Sequence, residues 1–258
     1  MQELSNYKIT ASIVLHNEKI EILSKAIESF LSISLSKKLY LVDNSPSDTF
    51  REKFKDPTIE YIFVGKNIGY GTGHNLVLDR IKNNSMYHLI LNPDVEFNPI
   101  AILNMIQQLE ENDVLAMIAP KVIFPNGRHQ YSCRRYPKAL ELIVRRLTFL
   151  DFLFKPLIAK GKYLDKDLTK SFYGDYLTGC FQLYRTEDFV NIGGFDERYF
   201  LYMEDVDICR KIDEIGKKKL YYPSVQITHI LKKESSKNIR LFFTHLNSSI
   251  KYFKKWGF

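Results

Sequence analysis

The chain of 258 residues is 45% hydrophobic and 26% charged, which allows one substantial core and argues against disorder. No run reaches the ~18 to 20 apolar residues needed to span a bilayer, and Met1 to Thr10 lacks the basic-then-apolar pattern of a signal peptide. The expectation is a folded cytoplasmic protein. Cys133, Cys180 and Cys209 are odd in number and lack Cys-x-x-Cys spacing, so neither a disulfide framework nor a zinc knuckle is indicated. The formal net charge of +7 is concentrated after residue 216, where ten Lys or Arg face a single acid, Glu234. Such a surplus suits nucleic acid, an anionic bilayer surface or plain solvation.

Ile9 to Leu15 reads as a buried strand, and Ile20, Leu23, Ile27 and Phe30 recur at helical spacing over Glu18 to Leu31. A second strand, Leu39 to Val42, runs into Asp43-Asn44-Ser45-Pro46. A third, Ile59 to Val64, ends in Gly65-Lys66-Asn67-Ile68-Gly69-Tyr70-Gly71. Tyr87 to Leu91 is closed by Asn92-Pro93-Asp94, and Asn98-Pro99 then starts a helix whose Ile102, Met105, Ile106 and Leu109 share a face. Strands alternating with helices predict an α/β fold with a mostly parallel sheet flanked by helices. Ligands of such sheets bind beyond the carboxyl ends of the strands, where Asp43, Asn67 and Asp94 fall.

Beyond Val114 the alternation is expected to stop. Arg134 to Lys162, with Arg145, Arg146, Lys155 and Lys160 among Leu, Ile and Phe, reads as an amphipathic surface helix, packed on the sheet or lying on a membrane. A strand over Cys180 to Arg185, a Gly193-Gly194 turn, a helix from about Asp205 to Ile215 and a short strand over Val225 to Ile230 follow. With no repeat or linker, residues 1–258 are expected to form one domain. A nucleotide-binding half would cover about 1–113, and an acceptor-binding and catalytic half about 114–258 with a helical basic extension.

Three features carry chemistry. Asn92-Pro93-Asp94-Val95-Glu96 directly follows a strand, so its hard oxygens could hold Mg²⁺ or Mn²⁺, or simply build a turn. Glu204-Asp205-Val206-Asp207 crowds three carboxylates into one helical turn. Capping a helix needs only one or two, and mutual repulsion raises carboxylate pKa values toward those useful for proton abstraction. His229 ends a strand ahead of Lys232, Lys233, Ser235 and Ser236, a set able to grip a diphosphate, although a lone His is more often structural.

The ordered set Val42-Asp43-Asn44-Ser45, Asn67-Ile68-Gly69-Tyr70-Gly71, Asn92-Pro93-Asp94, Gly193-Gly194-Phe195-Asp196-Glu197, Glu204-Asp205-Val206-Asp207 and His229 resembles the bacterial family 2 inverting glycosyltransferases, especially their rhamnosyltransferase branch. The likeness runs from about Ile9 to the carboxy terminus. It implies the GT-A fold and a nucleotide-diphosphate sugar donor, with dTDP-L-rhamnose favoured over UDP- or GDP-linked sugars. By the same resemblance Asp43 contacts the pyrimidine base, and Asn44, Asn67, Gly69 and Asn92 line the donor pocket. Asp94 and His229 hold a cation or the diphosphate, Asp205 is the general base beside Glu204, and Thr178, Gly179 and Asp207 face the acceptor. Asn92 stands where many relatives have the first Asp, which puts the cation dependence in doubt rather than the donor.

The implied acceptor is a surface polysaccharide or lipid-linked glycan, with Arg134 to Lys162 and Lys251 to Phe258 against anionic lipid. A sugar nucleotidyltransferase would need an early Gly-rich loop with Arg and Lys, which is missing from the sequence. A non-catalytic nucleic-acid or polysaccharide binding module would put cleft acids against phosphate. No nucleic-acid partner is expected.

Overall fold

The computed structural model describes residues 6–139, 154–230 and 239–257. The strands are β1 (Tyr7–Leu15), β2 (Lys37–Asp43), β3 (Ile59–Phe63), β4 (Ser85–Leu91), β5 (Val95–Phe97), β6 (Leu115–Ile123), β7 (Cys133–Arg134), β8 (Phe172–Tyr173), β9 (Tyr176–Leu177), β10 (Phe181–Arg185) and β11 (Lys218–His229). The described helices are α1 (Ile20–Leu31), α2 (Tyr70–Asn75), α3 (Leu78–Ile81), α4 (Ile100–Glu111), α5 (Lys155–Gly161), α6 (Thr186–Asn191), α7 (Glu204–Glu214) and α8 (Ile239–Trp256). The main sheet has the order β3-β2-β1-β4-β10-β6-β11-β5, with β8 added to β11.

The first four strands in that order are parallel, and β10 runs against both β4 and β6. Leu15, Asp43 and Phe63 lie in register at one sheet edge. Because β10 is antiparallel, its first residue, Phe181, pairs with the last of β4, Leu91. Strand β11 is parallel to β6 and ends at His229, opposite Val95 of antiparallel β5. The loops after β1 to β4, the loop before β10 and the end of β11 therefore meet at one edge.

Two cores sandwich the sheet. Ile9, Ala11, Ile13 and Leu15 of β1 join one with Leu23, Ile27 and Phe30 of α1 and Ile102, Met105 and Leu109 of α4. The other face of β1 carries Thr10, Ser12 and Val14, all buried, where Val14 joins Val206, Ile208, Cys209 and Ile212 of α7 and Tyr252 and Phe253 of α8.

Three expectations change. The alternation does not stop at Val114: β6 is a buried strand. Pro120 disguises it, and Pro120 is tolerated because its partner Tyr222 adjoins the register shift between Tyr222 and Gln226, where the ladder is already broken. The strand expected over Val225 to Ile230 is the last half of twelve-residue β11. The amphipathic helix over Arg134 to Lys162 is not continuous: Arg134 belongs to β7 and Lys155 to Gly161 form α5 behind Pro156. Arg145 and Arg146 lie outside the described residues.

The second core holds a polar knot. Thr10 Oγ1 lies 2.8 Å from His88 Nδ1, and Ser12 Oγ lies 2.9 Å from His88 Nε2 and 2.7 Å from His74 Nδ1. Burial pushes His88 down to about 3 and His74 well below its ordinary value. Both imidazoles are thus neutral in the folded state, whereas the unfolded chain takes up protons below pH ~6.5, so stability falls as pH drops from there. Urea unfolding between pH 6 and 4 should lose up to about 1.4 kcal/mol per pH unit through His88 alone, and His88→Gln should flatten the curve by that amount. Equal slopes for the two proteins would contradict the neutral buried assignment.

Candidate active site

At the shared edge lies a cleft of about 550 Å³ lined by His16 and Asn17 after β1, Asn44 after β2, Asn67, Gly69 and Tyr70 after β3, Asn92 and Asp94 after β4, Phe200 and Leu201 before α7, and His229. Strand-end placement, rather than proximity in sequence, assembles it.

The loop before α2 is shaped by two contacts. Asn67 Oδ1 accepts the Gly69 N–H at 3.0 Å, closing an Asx turn, and Asn44 Nδ2 donates to Gly69 O at 3.0 Å. Gly69 has φ +96°, and a Cβ there would sit 2.5 Å from Phe200 O. No other residue fits without shifting the Phe200 backbone. Asn44 Oδ1 is buried without a hydrogen-bond partner. Asp43 is fully buried and does not line the cleft. Its Oδ1 accepts the Ser45 N–H at 2.8 Å and its Oδ2 the Tyr61 hydroxyl at 2.5 Å.

Asp94 and His229 meet at the cleft wall, Oδ1 to Nε2 3.2 Å. Gln130, in the segment after β6, orients the ring from behind: its Nε2 donates to His229 O at 2.7 Å and Ile123 O at 3.3 Å, which leaves Oε1 to accept from His229 Nδ1 at 3.0 Å. The cleft-facing nitrogen is therefore Nε2. Burial opposes charge on this imidazole, but Cys180 and Asp94 outweigh it and push the ring up to about 10. The Asn92 amide is 3.4 Å from the same nitrogen. Among the described residues no cluster of three His, Cys, Asp or Glu side chains could hold a metal.

The carboxylates come from α7. Two consecutive left-handed residues, Tyr202 (φ 69°) and Met203 (φ 70°), precede Glu204, a costly backbone for side chains with Cβ atoms. It delivers Glu204 and Asp205 to the first helical turn. Asp205 Oδ2 accepts the Gly179 N–H at 3.2 Å, while Glu204 Oε2 is buried with no hydrogen-bond partner. Burial raises the pKa of both, and the neighbouring Asp205 charge raises that of Glu204 further. Neither acid is among the cleft-lining residues. Tyr70 joins them to it: its hydroxyl is 2.6 Å from Gly179 O and 3.0 Å from Asn92 Oδ1. Thr178 Oγ1 lies 3.7 Å from Cys180 Sγ, and the Thr178 N–H donates to Ser132 O.

Asp207, expected at the acceptor, is fully buried and holds α8 instead. Its carboxylate accepts from Lys255 Nζ at 2.8 Å, Trp256 Nε1 at 2.7 Å and the Tyr199 hydroxyl at 3.2 Å. One helical residue is ~100°, so two turn a side chain to the far face from Asp205. Lys232, Lys233, Ser235 and Ser236 lie outside the described residues. Sequence reasoning missed Gln130, a loop glutamine reached only through the pairing of β6 with β11, and missed the bridging role of Tyr70.

The chain is 27% identical over 208 residues to rhamnosyltransferase WbbL of Escherichia coli (strain K12), covering 75% of this chain and 73% of that protein. It is 26% identical over 219 residues to the N-acetylglucosaminyl-diphospho-decaprenol L-rhamnosyltransferase of Mycobacterium tuberculosis, covering 79% and 71%. Among solved structures it superposes on GalNAc-T7, crystallised with UDP, GalNAc and Mn²⁺, with a TM-score of 0.71 at 15% identity, over 96% of this chain and 48% of that one. It also superposes on the Pyrobaculum calidifontis mannosyltransferase PcManGT, in complex with GDP-Man and Mn²⁺, with a TM-score of 0.64 at 14% identity, over 97% and 65%. The chain thus spans about half and about two thirds of those two proteins, and the fold is the GT-A fold. The family model for glycosyl transferase family 2 matches residues 10–193, and the chain belongs to that family.

Proposed function

We propose that this glycosyltransferase transfers L-rhamnose from dTDP-L-rhamnose, with inversion, to a surface polysaccharide or lipid-linked glycan. The observation that carries the transfer reading is the meeting, at one sheet edge, of Asp94 and His229 with the buried pair Glu204 and Asp205, joined through Tyr70. The two rhamnosyltransferase relatives support the sugar, and the same geometry would serve a UDP- or GDP-linked donor. A non-catalytic binding module would have no use for an unsatisfied buried carboxylate next to a strained turn.

Asp94 Oδ1 and His229 Nε2 would hold a Mg²⁺ or Mn²⁺ ion, which would displace the proton that Asp94 otherwise favours on the ring. Two protein donors fit a hard cation that takes its remaining ligands from phosphate and water, and such an ion neutralises charge on a departing diphosphate. Asn44, Asn67 and the Gly69 turn wall the donor. Asp205, its basicity raised by burial, takes the proton of the acceptor hydroxyl as that oxygen bonds to the anomeric carbon and the bond to the diphosphate oxygen breaks. Asp205→Asn should lower turnover ~10²- to 10⁴-fold while leaving donor binding intact. In the wild type, kcat should rise with pH through a value above the ordinary aspartate range. Near-normal turnover of the variant would overturn the assignment.

The lipid side of the acceptor has a matching surface. Ile239, Phe243, Leu246 and Ile250 are 72%, 59%, 45% and 47% exposed and fall within about 60° of arc on α8. Arg240, Lys251 and Lys254 flank that stripe, and residues 239–257 contain no acid, which is the composition of a helix lying on an anionic bilayer. Lys255 and Trp256, expected among the anchors, are engaged inside by Asp207. Among the described residues no helix is long and apolar enough to cross a membrane. Phe243→Asp should weaken binding to phosphatidylglycerol-containing vesicles by about 10-fold or more, since burying one Phe side chain is worth roughly 1.5–3 kcal/mol. Unchanged sedimentation with vesicles, or a stripe covered by a second copy in analytical ultracentrifugation, would remove the membrane reading.

A further inference from the structure

The Tyr70 hydroxyl has one proton and two close neighbours, Gly179 O at 2.6 Å and the Asn92 side-chain amide at 3.0 Å. A phenol loses its proton only near pH ~10, so the single proton is present at neutral pH. Gly179 O can only accept, and its contact is the shorter. The proton belongs there, and the phenol oxygen must then receive a hydrogen bond from Asn92. A primary amide offers that bond only from its nitrogen. Its two ends have nearly the same size, so a half-turn of the Asn92 side chain satisfies the hydroxyl without moving anything else.

That half-turn has a consequence on the far side of the amide. The atom 3.4 Å from His229 Nε2 becomes the carbonyl oxygen. It then stands beside Asp94 Oδ1, itself 3.2 Å from Nε2. The ring cannot rotate its other nitrogen into the cleft, because Gln130 Nε2 is committed to two backbone carbonyls and its Oε1 accepts from Nδ1. An amide oxygen, a carboxylate oxygen and an imidazole nitrogen now share one wall of the cleft.

We propose that Tyr70 is a positioning residue that turns Asn92 so that its carbonyl oxygen completes, with Asp94 and His229, a three-donor site for a divalent cation. Ring packing holds the hydroxyl in place, with His74 edge-on at 4.5 Å and Phe195 at 6.1 Å between centroids. The amide at position 92 serves as an oxygen ligand only while Tyr70 fixes its direction. A carboxylate there would need no such help, since both of its ends are oxygen.

This inference rests on the cation-assisted reading above, and Mn²⁺ binding measured by electron paramagnetic resonance, with and without dTDP, separates the two. Tyr70→Phe should bind Mn²⁺ at least about 10-fold more weakly than the wild type, the usual cost of losing a group that orients a metal ligand. Asn92→Asp should bind at least as well as the wild type, and Tyr70→Phe added to Asn92→Asp should cost less than about 3-fold, because the orientation no longer matters. A wild type that binds no Mn²⁺ under either condition sinks the cation reading and the site with it. Unchanged Mn²⁺ affinity in Tyr70→Phe sinks the role of Tyr70 alone. The same Tyr70→Phe loss in both backgrounds overturns the orientation argument and makes Tyr70 a packing residue, which matched thermal unfolding midpoints would check.

Discussion

The backbone N–H of Asn92 donates to Cys180 O at 2.9 Å, and the site follows from that bond. It exists because β10 enters the sheet between β4 and β6 against the direction of both. A parallel β10 would present its other end, Arg185, at the edge where Asn92 lies. Run antiparallel, it sets Thr178, Gly179 and Cys180 beside Asn92. The Gly179 N–H then reaches Asp205 of α7 and its carbonyl reaches Tyr70 of α2. One reversed strand couples donor-side loops from the first half of the chain to the acids of the second.

The electrostatics of this junction run against stability. Burial raises both Glu204 and Asp205, and one oxygen of Glu204 has no hydrogen-bond partner. Buried polar atoms left in this way cost of order 1–3 kcal/mol each. Two left-handed residues before α7 add strain. The surrounding structure holds the arrangement rigidly: Asp207 binds α8 through Lys255 and Trp256, and Asn75 bonds Phe195 in both directions, accepting its N–H at 2.9 Å and donating to its carbonyl at 2.8 Å. Cost gathered at one place and supported from outside is the pattern of a site shaped for chemistry.

The alternating strands and helices up to Glu111 were legible because each strand ends in Asn, Asp, Gly or Pro, residues with specific turn chemistry. Strand β6 was hidden by Pro120, whose missing donor matters only if the partner strand is regular. Asn67, Asn92, Asp94 and His229 could be placed at the cleft because strand ends fix them in register. Asp43 and Asp207 could not be placed, because sequence shows an acid but not which neighbours consume it: Ser45 and Tyr61 in one case, Lys255, Trp256 and Tyr199 in the other. Gln130 leaves no local signal, since its function arises only when residues 99 positions apart meet across the sheet.

The central claim is that the cleft binds a nucleotide sugar through a cation at Asp94 and His229, and release of nucleoside diphosphate from a panel of nucleotide sugars in the presence of Mn²⁺ tests it most directly. The account predicts release from dTDP-L-rhamnose that stops with chelator and in Asp94→Ala. Release that survives both treatments, or a folded protein that releases nothing from any donor when glycan acceptors are supplied, would contradict it.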